Sequence, residues 1–430
     1  MLPDCLTSIN QKEKIMFRQF LCALAVVLVS ASTILAADWT AFHGPIGDNK
    51  SPDTGLLKKW PEGGPTLLWK ADSIGFGFSS VAVAGDRIYT VGNVGDTEMV
   101  FCLDKDGKEI WKKDNGPAHT DARTHPGTRS TPAVDGNFVY CASALGNVTC
   151  YDTTKNGEKV WSRNLLKEYN APQPRWICGH SVIVEGDNVI CMVGGSKALA
   201  VALNKNTGDT VLDFPPAAGN APASYSTPYF FDFEGIRVLT VMSDGTVEGY
   251  DPKTAKKILS IPWKNSRTTN ATPPIYRDGH LFLSSGYNYG AEGYKLEKNA
   301  DGTITATKLW YTQQFDNHHH GLVLVGDHVY GTTSKGNWMA VNFLTGEVAY
   351  TARPVGEQTA VHYADGLIYC LAQDSATVIL WDPKPTEFVE VSRFVLPQAE
   401  GNAWAHPVVI NGRLYLRHAQ FLYCYDVEAQ

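Results

Sequence analysis

The chain has 430 residues, of which 43% are hydrophobic and 19% are charged, and its formal net charge is −7. This balance is ordinary for a globular protein. No run of Lys or Arg is long enough to follow a phosphate backbone, which excludes nucleic acid as an expected partner. The 39 Gly, 19 Tyr and 11 Trp residues favour many short strands joined by tight turns.

Residues 1–37 predict an export signal. Lys12, Lys14 and Arg18 form a basic start, residues 20–29 are an uninterrupted apolar run, and small residues lead up to a cleavage site before Asp38. The apolar run is too short to cross a bilayer, and no later stretch reaches the required length of about 18 apolar residues. We therefore expect an exported protein, periplasmic or secreted, with no membrane span in the mature chain.

An apolar strand, a turn with Gly and a second strand recur eight times along the rest of the chain. The glycines of these turns are Gly85, Gly136, Gly186, Gly235, Gly279, Gly326, Gly366 and Gly412. A second hairpin follows each copy, so that each repeat of 40–51 residues holds four strands. This is the period of a propeller blade. The sequence predicts an all-β fold, an eight-bladed β-propeller of four-stranded antiparallel blades.

The ends of the repeat array predict how the ring closes. The eighth copy stops without its outer strand, and residues 65–71, which precede the first copy, carry the missing pattern. The N-terminal strand is therefore expected to complete the last blade, which would leave the ring without a free edge. The expected organisation is a signal peptide over 1–37, an N-terminal extension over 38–64 and a propeller over 65–430.

The second hairpin of several repeats runs from an Asp through a Gly to a Trp, as in residues 104–111 and 152–161. Equivalent tryptophans, which we expect to pack between blades, are Trp69, Trp111, Trp161 and Trp310. With the opening segment DWTAFHGPIGDNKSPDTG, this hairpin resembles the PQQ-binding-like, quinoprotein-type eight-bladed propellers of exported bacterial proteins. The likeness covers residues 38–430.

That resemblance makes pyrroloquinoline quinone (PQQ) a candidate cofactor. The quinoprotein dehydrogenases of this type hold the quinone over the ring axis with a vicinal disulfide, a stacking Trp and a Glu–Asn–Asp set around Ca²⁺. The sequence has no Cys-Cys dipeptide and no long insertions between blades, which argues against alcohol dehydrogenase chemistry. Other propellers that it resembles are non-catalytic envelope lipoproteins that use the ring as an interaction scaffold, but the lipidated Cys expected there is missing.

Seven cysteines follow residue 37, an odd number for an exported chain. Cys141 and Cys150 flank a turn, so one interpretation is a disulfide across that hairpin. The alternative is that the cysteines are small buried residues, as expected for Cys102, Cys150 and Cys424, which stand where other repeats have Ala or Gly. The pairing stays open at this stage.

The connections between blades carry most of the candidate site residues. Seven of the 12 histidines lie there. His180, His320 and His406 each stand six residues before the turn glycine of their blade, which makes them repeat-equivalent. We expect these three imidazoles to point toward the axial channel or its rim.

Two chemistries follow for this face of the ring. Converging imidazoles from His180, His320 and His406 would bind a divalent metal. Alternatively, arginines of the connections, Arg129 among them, would hold an anionic ligand or a sugar together with the histidines. The expected ligand-binding residues are Arg123, His125, Arg175, Trp176, His180, His320, Asn402, Trp404 and His406. A third interpretation has these side chains line a polar channel mouth without binding a ligand.

The sequence therefore favours a monomeric binding or scaffold propeller, whose partner is a small molecule, a carbohydrate or an envelope protein. One alternative is an oxidoreductase that uses PQQ. Another is a metal-dependent lyase or hydrolase that acts on polysaccharide. Neither the ligand nor the presence of catalysis follows from the sequence.

Overall fold

The computed structural model describes residues 37–398 and 401–429. Residues 1–36 of the predicted export signal lie outside the described residues. Eight separate four-stranded antiparallel sheets make up the described chain, which confirms the predicted eight-bladed propeller. No helix in the described part is long and apolar enough to span a membrane.

The first four blades follow one another along the chain. Blade 1 consists of β2 (Ala82–Ala84), β3 (Arg87–Val94), β4 (Thr97–Asp104) and β5 (Glu109–Pro117). Blade 2 consists of β6 (Ala133–Asp135), β7 (Phe138–Ala142), β8 (Asn147–Asp152) and β9 (Glu158–Asn164). Blade 3 consists of β10 (Ile183–Glu185), β11 (Asn188–Met192), β12 (Ala200–Asn204) and β13 (Thr210–Phe214). Blade 4 consists of β14 (Tyr229–Phe233), β15 (Ile236–Met242), β16 (Thr246–Tyr250) and β17 (Lys257–Pro262).

The remaining blades complete the ring. Blade 5 consists of β18 (Ile275–Arg277), β19 (His280–Ser285), β20 (Gly290–Lys298) and β21 (Ile304–Thr312). Blade 6 consists of β22 (Val323–Val325), β23 (His328–Thr332), β24 (Trp338–Asn342) and β25 (Val348–Ala352). Blade 7 consists of β26 (Thr359–Ala364), β27 (Leu367–Ala372), β28 (Thr377–Asp382) and β29 (Val389–Val395). Blade 8 consists of β30 (Val408–Ile410), β31 (Arg413–His418), β32 (Phe421–Asp426) and β1 (Thr66–Ala71).

Helical structure among the described residues is limited to short connections. One α-helix, α1, spans Leu165–Tyr169 after blade 2. Three single turns of 3₁₀-helix lie at Ala122–Thr124, Thr153–Lys155 and Ala218–Asn220.

Strand β1 closes the ring as predicted. It pairs antiparallel with β32, with Leu67 opposite Tyr425 and Trp69 opposite Cys424. The first strand in the sequence is thereby the outer strand of the last blade. This pairing removes the open edge that β32 would otherwise present.

The inner hairpins of the blades use two kinds of turn. In blades 1, 2, 3 and 6 the glycine is the first turn residue, as at Gly186, with φ of 59°. In blades 4, 5, 7 and 8 it is the second, after another residue of positive φ, as at Asn411 and Gly412, with φ of 56° and 70°. Both kinds need positive φ, which glycine supplies without steric cost. The position of the glycine therefore differs by one residue between the two groups.

The outer pair of strands in every blade contains a β-bulge. The pairing of the third and fourth strands shifts by one residue in all eight sheets. In five blades the extra residue is apolar and 41–50% exposed, and it immediately precedes the tryptophan position in the repeat. These residues are Leu68, Ile110, Val160, Val211 and Leu309. The bulge turns this side chain to solvent and the next one inward.

The repeated tryptophans pack between blades, as expected. A Cβ on Gly157 of blade 2 would lie 2.7 Å from the ring of Trp111 in blade 1. The three other tryptophans meet glycines of the next blade in the same way, in the pairs Trp69–Gly107, Trp161–Gly208 and Trp310–Gly346. The Nε1 atoms of Trp69 and Trp161 donate to the carbonyl oxygens of Lys105 and Lys205, at 2.9 and 3.0 Å. Each such tryptophan packs its blade against the following one.

The hydrophobic core consists of eight clusters, one in each gap between neighbouring blades. The N-terminal segment contributes to two of them. Trp39 packs in the gap between blades 8 and 1, and Leu56 and Trp60 pack between blades 7 and 8. The segment that precedes β1 is thus part of the packed ring.

The seven described cysteines are all buried and free. Tyr140 pairs with Cys150, and Cys141 pairs with Thr149. Cys141 and Cys150 are therefore one position out of register, and a one-residue offset places side chains on opposite faces of a sheet. The interpretation of a disulfide across this hairpin was wrong.

Candidate functional site

A cavity of about 210 Å³ opens on the ring axis, on the face where the blades connect to one another; we call it the axial cavity. The connections into all blades except the seventh contribute to its wall, together with a loop of blade 5 and the N-terminal segment. Its lining residues are Phe42, Phe78, Ser80, His125, Arg129, Trp176, Gly179, Ser181, Tyr225, Thr227, Thr269, Ala271, Tyr287, His318, His319, Trp404 and His406.

The lining residues follow the alternation of an extended chain. Phe78 and Ser80, Gly179 and Ser181, Tyr225 and Thr227, Thr269 and Ala271, and Trp404 and His406 are pairs two residues apart. Side chains at i and i+2 of an extended segment share a face, and the residue between them points the other way. In these five connections the alternation decides most of the residues that reach the axis. The connection into blade 6 departs from it, because the adjacent residues His318 and His319 both line the cavity.

A repeated hydrogen bond to a hydroxyl group shows that these positions are equivalent in the connections into blades 1–4. The backbone N–H of Ser80 donates to Oγ1 of Thr131, that of Thr131 to Oγ of Ser181, and that of Ser181 to Oγ1 of Thr227. The three distances are 3.2, 2.8 and 3.0 Å. The same alternation places Arg129, two residues before Thr131, at the cavity wall.

The predicted equivalence of His180, His320 and His406 was wrong by one residue. His180 and His320 stand five positions before the last residue of their first strand, Glu185 and Val325, whereas His406 stands four before Ile410. The turn of blade 8 carries its glycine second, so counting from glycine shifted the register. His406 lines the cavity, while His180 and His320 are buried and do not line it.

Four of the nine predicted ligand-binding residues line the axial cavity: His125, Trp176, Trp404 and His406. Five do not line it: Arg123, Arg175, His180, His320 and Asn402. Arg123 extends into solvent and pairs with Asp121 at 2.7 Å. Arg175 is exposed, and its guanidinium lies 4.9 Å from the ring centroid of Trp176. The structure therefore places the two arginines outside the cavity.

His406 links the cavity wall to the N-terminal segment. Its Nε2 lies 3.1 Å from the carbonyl oxygen of His319, and its Nδ1 lies 2.9 Å from Nε2 of His43. A carbonyl oxygen only accepts, so Nε2 of His406 carries the hydrogen and its Nδ1 accepts from His43. Gly321 permits this packing, because a Cβ there would lie 2.6 Å from the His406 ring.

Burial keeps the histidines of this region neutral. Desolvation lowers the pKa of His318 and His406 to about 4. Desolvation, followed by repulsion from neighbouring imidazoles, lowers the pKa of His43 and His319 well below the ordinary value. These four rings act at neutral pH as dipoles and hydrogen-bonding groups, and they add no charge to the cavity.

Arg129 is a cation of the cavity wall without a described carboxylate partner. Its guanidinium donates to the carbonyl oxygens of Thr124, His125 and Trp176, at 3.0–3.1 Å. Burial lowers its pKa to about 10, so that it stays protonated at neutral pH. Among the described residues no carboxylate lies within ion-pair distance of it.

Aromatic rings surround this cation. Phe78 and Trp404 lie with their centroids 4.4 Å apart, and the Arg129 guanidinium lies 5.7 Å from the centroid of each. The rings of His125 and His319 stand edge-on to Trp404, at 5.0 and 5.2 Å. A wall of this kind suits the faces of a flat ring.

The residues present do not fit the metal and quinone sites that were considered. No group of three or more His, Cys, Asp or Glu residues in the described ranges is arranged to hold a metal ion. The predicted metal set of His180, His320 and His406 therefore finds no support. The lining of the axial cavity includes no carboxylate for Ca²⁺ and no cysteine, so it does not fit PQQ held with Ca²⁺ in the manner of the dehydrogenases.

The sequence interpretation missed Phe42, Phe78 and Tyr225 as cavity residues. Phe78 and Tyr225 stand two residues before Ser80 and Thr227, so the i, i+2 alternation would have identified them. Phe42 had no such signal, because it reaches the axis through the fold of the N-terminal segment.

Comparison with known proteins gave a family and a fold. The family model described as "Outer membrane protein assembly factor BamB" matches residues 61–226 and, overlapping them, residues 146–389. The crystal structure of BamB from Moraxella catarrhalis is 15% identical and covers 85% of this chain and 98% of its own, with a TM-score of 0.58. Quinohemoprotein alcohol dehydrogenase from Comamonas testosteroni is 11% identical, with 94% and 82% covered and a TM-score of 0.65. A comparison with curated proteins found no match.

Proposed function

Because this chain belongs to the propeller family described as outer membrane protein assembly factor BamB, we propose that it is a binding propeller, and that its axial cavity takes a small, flat anion. The observation that carries the proposal is Arg129, a cation in an aromatic-lined cavity without a described acidic partner. Three backbone carbonyls accept hydrogen bonds from the guanidinium, but its charge has no described counter-ion, and a buried charge is stabilised by an opposite one. A bound anion would supply that opposite charge.

The shape and size of the cavity favour a ligand with one ring. A volume of about 210 Å³ is below the roughly 300 Å³ at which pockets for drug-sized molecules begin. Trp404, Phe78 and Trp176 offer apolar surface to a ring. His319 also lines the cavity, and its Nε2 is a buried atom without a hydrogen-bond partner among the described residues.

The test is a titration with benzoate, with galacturonate as a non-aromatic carboxylate and benzyl alcohol as an uncharged ring. We expect benzoate to bind and the Arg129→Met variant to bind it at least tenfold more weakly, about 1.4 kcal/mol. Arg129→Lys should retain part of the affinity. Arg123→Met is the matched control, since Arg123 lies outside the cavity, and should bind as the wild type does.

Three results would contradict this function. One is equal affinity for benzoate and benzyl alcohol, which would show that the charge is not recognised. Another is an Arg129→Met variant that binds as tightly as the Arg123→Met control. The third is a failure of benzoate to bind.

A protein partner is the second candidate, and family membership favours it. The family description names an assembly factor, and a ring of eight blades offers a rigid scaffold for a protein partner. The same membership agrees with an envelope location, which we propose from residues 1–37 with the mature chain starting at residue 38. Fusion of residues 1–37 to alkaline phosphatase, which is active only after export, tests the location, and an inactive fusion would refute it.

A further inference from the structure

A second cavity lies at the opposite end of the ring, where the inner hairpins turn; we call it the turn-side cavity. It has a volume of about 850 Å³. Its wall is made by the first strands of blades 2–6 and by residues 40–48 and Lys50 of the N-terminal segment. Phe42 of the N-terminal segment and Thr227 of the connection into blade 4 line both this cavity and the axial cavity.

The first strand of each blade has an inner edge without a strand neighbour, and the N-terminal segment pairs with three of these edges. The N–H groups of Trp39 and Val83 donate to each other's carbonyl oxygens at 2.8 and 2.9 Å in blade 1. In blade 2 the N–H of Val134 donates to the carbonyl oxygen of Thr40 at 2.8 Å. In blade 7 the N–H of Tyr363 donates to Asn49 at 3.1 Å, and Tyr363 accepts from Ser51 at 2.8 Å.

These contacts all use one register position. Val83, Val134 and Tyr363 are the next-to-last residues of their strands, opposite Ile88, Val139 and Ile368. In a two-residue hairpin the pair of residues next to the turn is hydrogen-bonded. The residue one position further from the turn therefore directs its N–H and C=O away from its partner strand. The backbone of this position therefore faces the axis.

Three blades present the same position without a partner. Val184 in blade 3, Asp232 in blade 4 and Leu324 in blade 6 occupy it. None of their backbone groups has a described hydrogen bond toward the axis, and all three residues line the turn-side cavity. In blade 5 the backbone of Tyr276 interacts with the hydroxyl of Tyr229, and in blade 8 Val409 donates to His362.

We propose that the turn-side cavity binds an extended apolar segment of a partner polypeptide, which pairs backbone to backbone with the edges at Val184, Asp232 and Leu324. The chain itself shows that this mode fits, because its own N-terminal segment pairs with the other edges. An extended polypeptide supplies the backbone N–H and C=O groups with which strand edges pair.

The character of the wall indicates an apolar, uncharged segment. The acidic side chains of the lining, Asp48, Asp135, Glu185 and Asp232, nearly balance the basic ones, Lys50, Arg237 and Arg277. Arg237 already pairs with Glu185 and with Asp232, at 2.9 Å each. Ile46 is 71% exposed at the wall, so that an apolar partner would cover it.

The experiment uses a capped hexapeptide of alternating Thr and Val, with the same peptide N-methylated at every residue as the control probe. We expect saturable binding of the first and at least tenfold weaker binding of the second, which lacks the donors. Hydrogen exchange at the amides of Val184 and Leu324 should slow on binding. The amide of Val134 should not change, because it is already paired.

Variants place the peptide in this cavity. Ile46→Glu puts a charge at the wall without disturbing a blade and should weaken binding at least tenfold. Ile110→Glu, at an exposed isoleucine of an outer strand, is the matched control and should bind like the wild type. Absent binding, equal binding of the N-methylated peptide, or protection only of other amides would overturn the proposal. So would concentration-dependent dimerisation that protects the same amides, since the occupant would then be a second copy.

Discussion

Buried imidazoles make individual residues of this ring sensitive to acid. His180 is a simple example, because burial alone lowers its pKa to about 4 and its Nδ1 has no hydrogen-bond partner in the described chain. The neutral form is favoured in the folded protein, whereas the unfolded chain takes up a proton near pH 6.5. The folded state is therefore fully stable above pH 6.5 in this respect and loses stability as the pH falls toward 4.

We expect His180→Phe to flatten that dependence. The wild type should lose about 3 kcal/mol at pH 4 through this one group, and the variant should not. Urea unfolding at pH 7 and at pH 4 measures the difference. The same change at the partly exposed His280 serves as the control, and identical pH dependence in both variants would contradict the role assigned to His180.

Residue-scale prediction from the sequence reached the correct segments but not always the correct side chain. Trp176, Trp404 and His406 line the axial cavity because their connections reach the axis, and Trp404 and His406 occupy alternate positions that face it. His180 was not placed correctly, because the turn of blade 8 differs from that of blade 3 by one residue in the position of its glycine. In an extended chain, one residue is the difference between facing the cavity and facing away.

At the scale of the element, the outer hairpins combine a bulge, a tryptophan and a glycine of the next blade. Gly157 is required twice, for its φ of 71° and for the 2.7 Å approach of the Trp111 ring. Gly235 has a similar φ of 78°, but a Cβ there would meet nothing within 4 Å. The two positions separate backbone strain from loss of packing.

We expect Gly157→Ala to destabilise the protein by about 2–4 kcal/mol, from strain and overpacking together. Gly235→Ala should cost only about 1–2 kcal/mol, since strain alone applies. Denaturant unfolding of both variants gives the comparison. Equal losses would show that the contact of tryptophan with glycine does not stabilise the gap between blades.

The elements themselves were largely readable from the sequence. The strand–glycine–strand copies predicted each inner hairpin, because positive φ leaves a signature in residue choice. The bulges left no such signature, and they appear only in the pairing of the strands. The path of residues 38–64 was also beyond prediction, since its contacts with β2, β6 and β26 join parts of the chain far apart in sequence.

At the scale of the whole molecule, closure depends on β1. A chain that begins at residue 73 would leave the edge of β32 unpaired and would lose Trp39, Leu56 and Trp60 from two interblade clusters. We expect it to aggregate and to melt well below the full-length protein. A synthetic peptide of residues 37–72, added in trans, should restore a monomer with a higher Tm. A truncated chain as stable and monomeric as the full one would contradict closure by β1.

The bulges also affect how one ring meets another at its perimeter. Eight outer strands face outward, and each would otherwise offer a straight row of backbone donors and acceptors to a neighbouring molecule. A bulge in every outer strand pair bends and twists that row. Two rings therefore cannot align their edges over enough residues to form a stable intermolecular strand pair. The protein can therefore expose apolar residues at five of these bulges and still resist association at high protein concentration. The shape of the rim, as well as its polarity, keeps the rings apart.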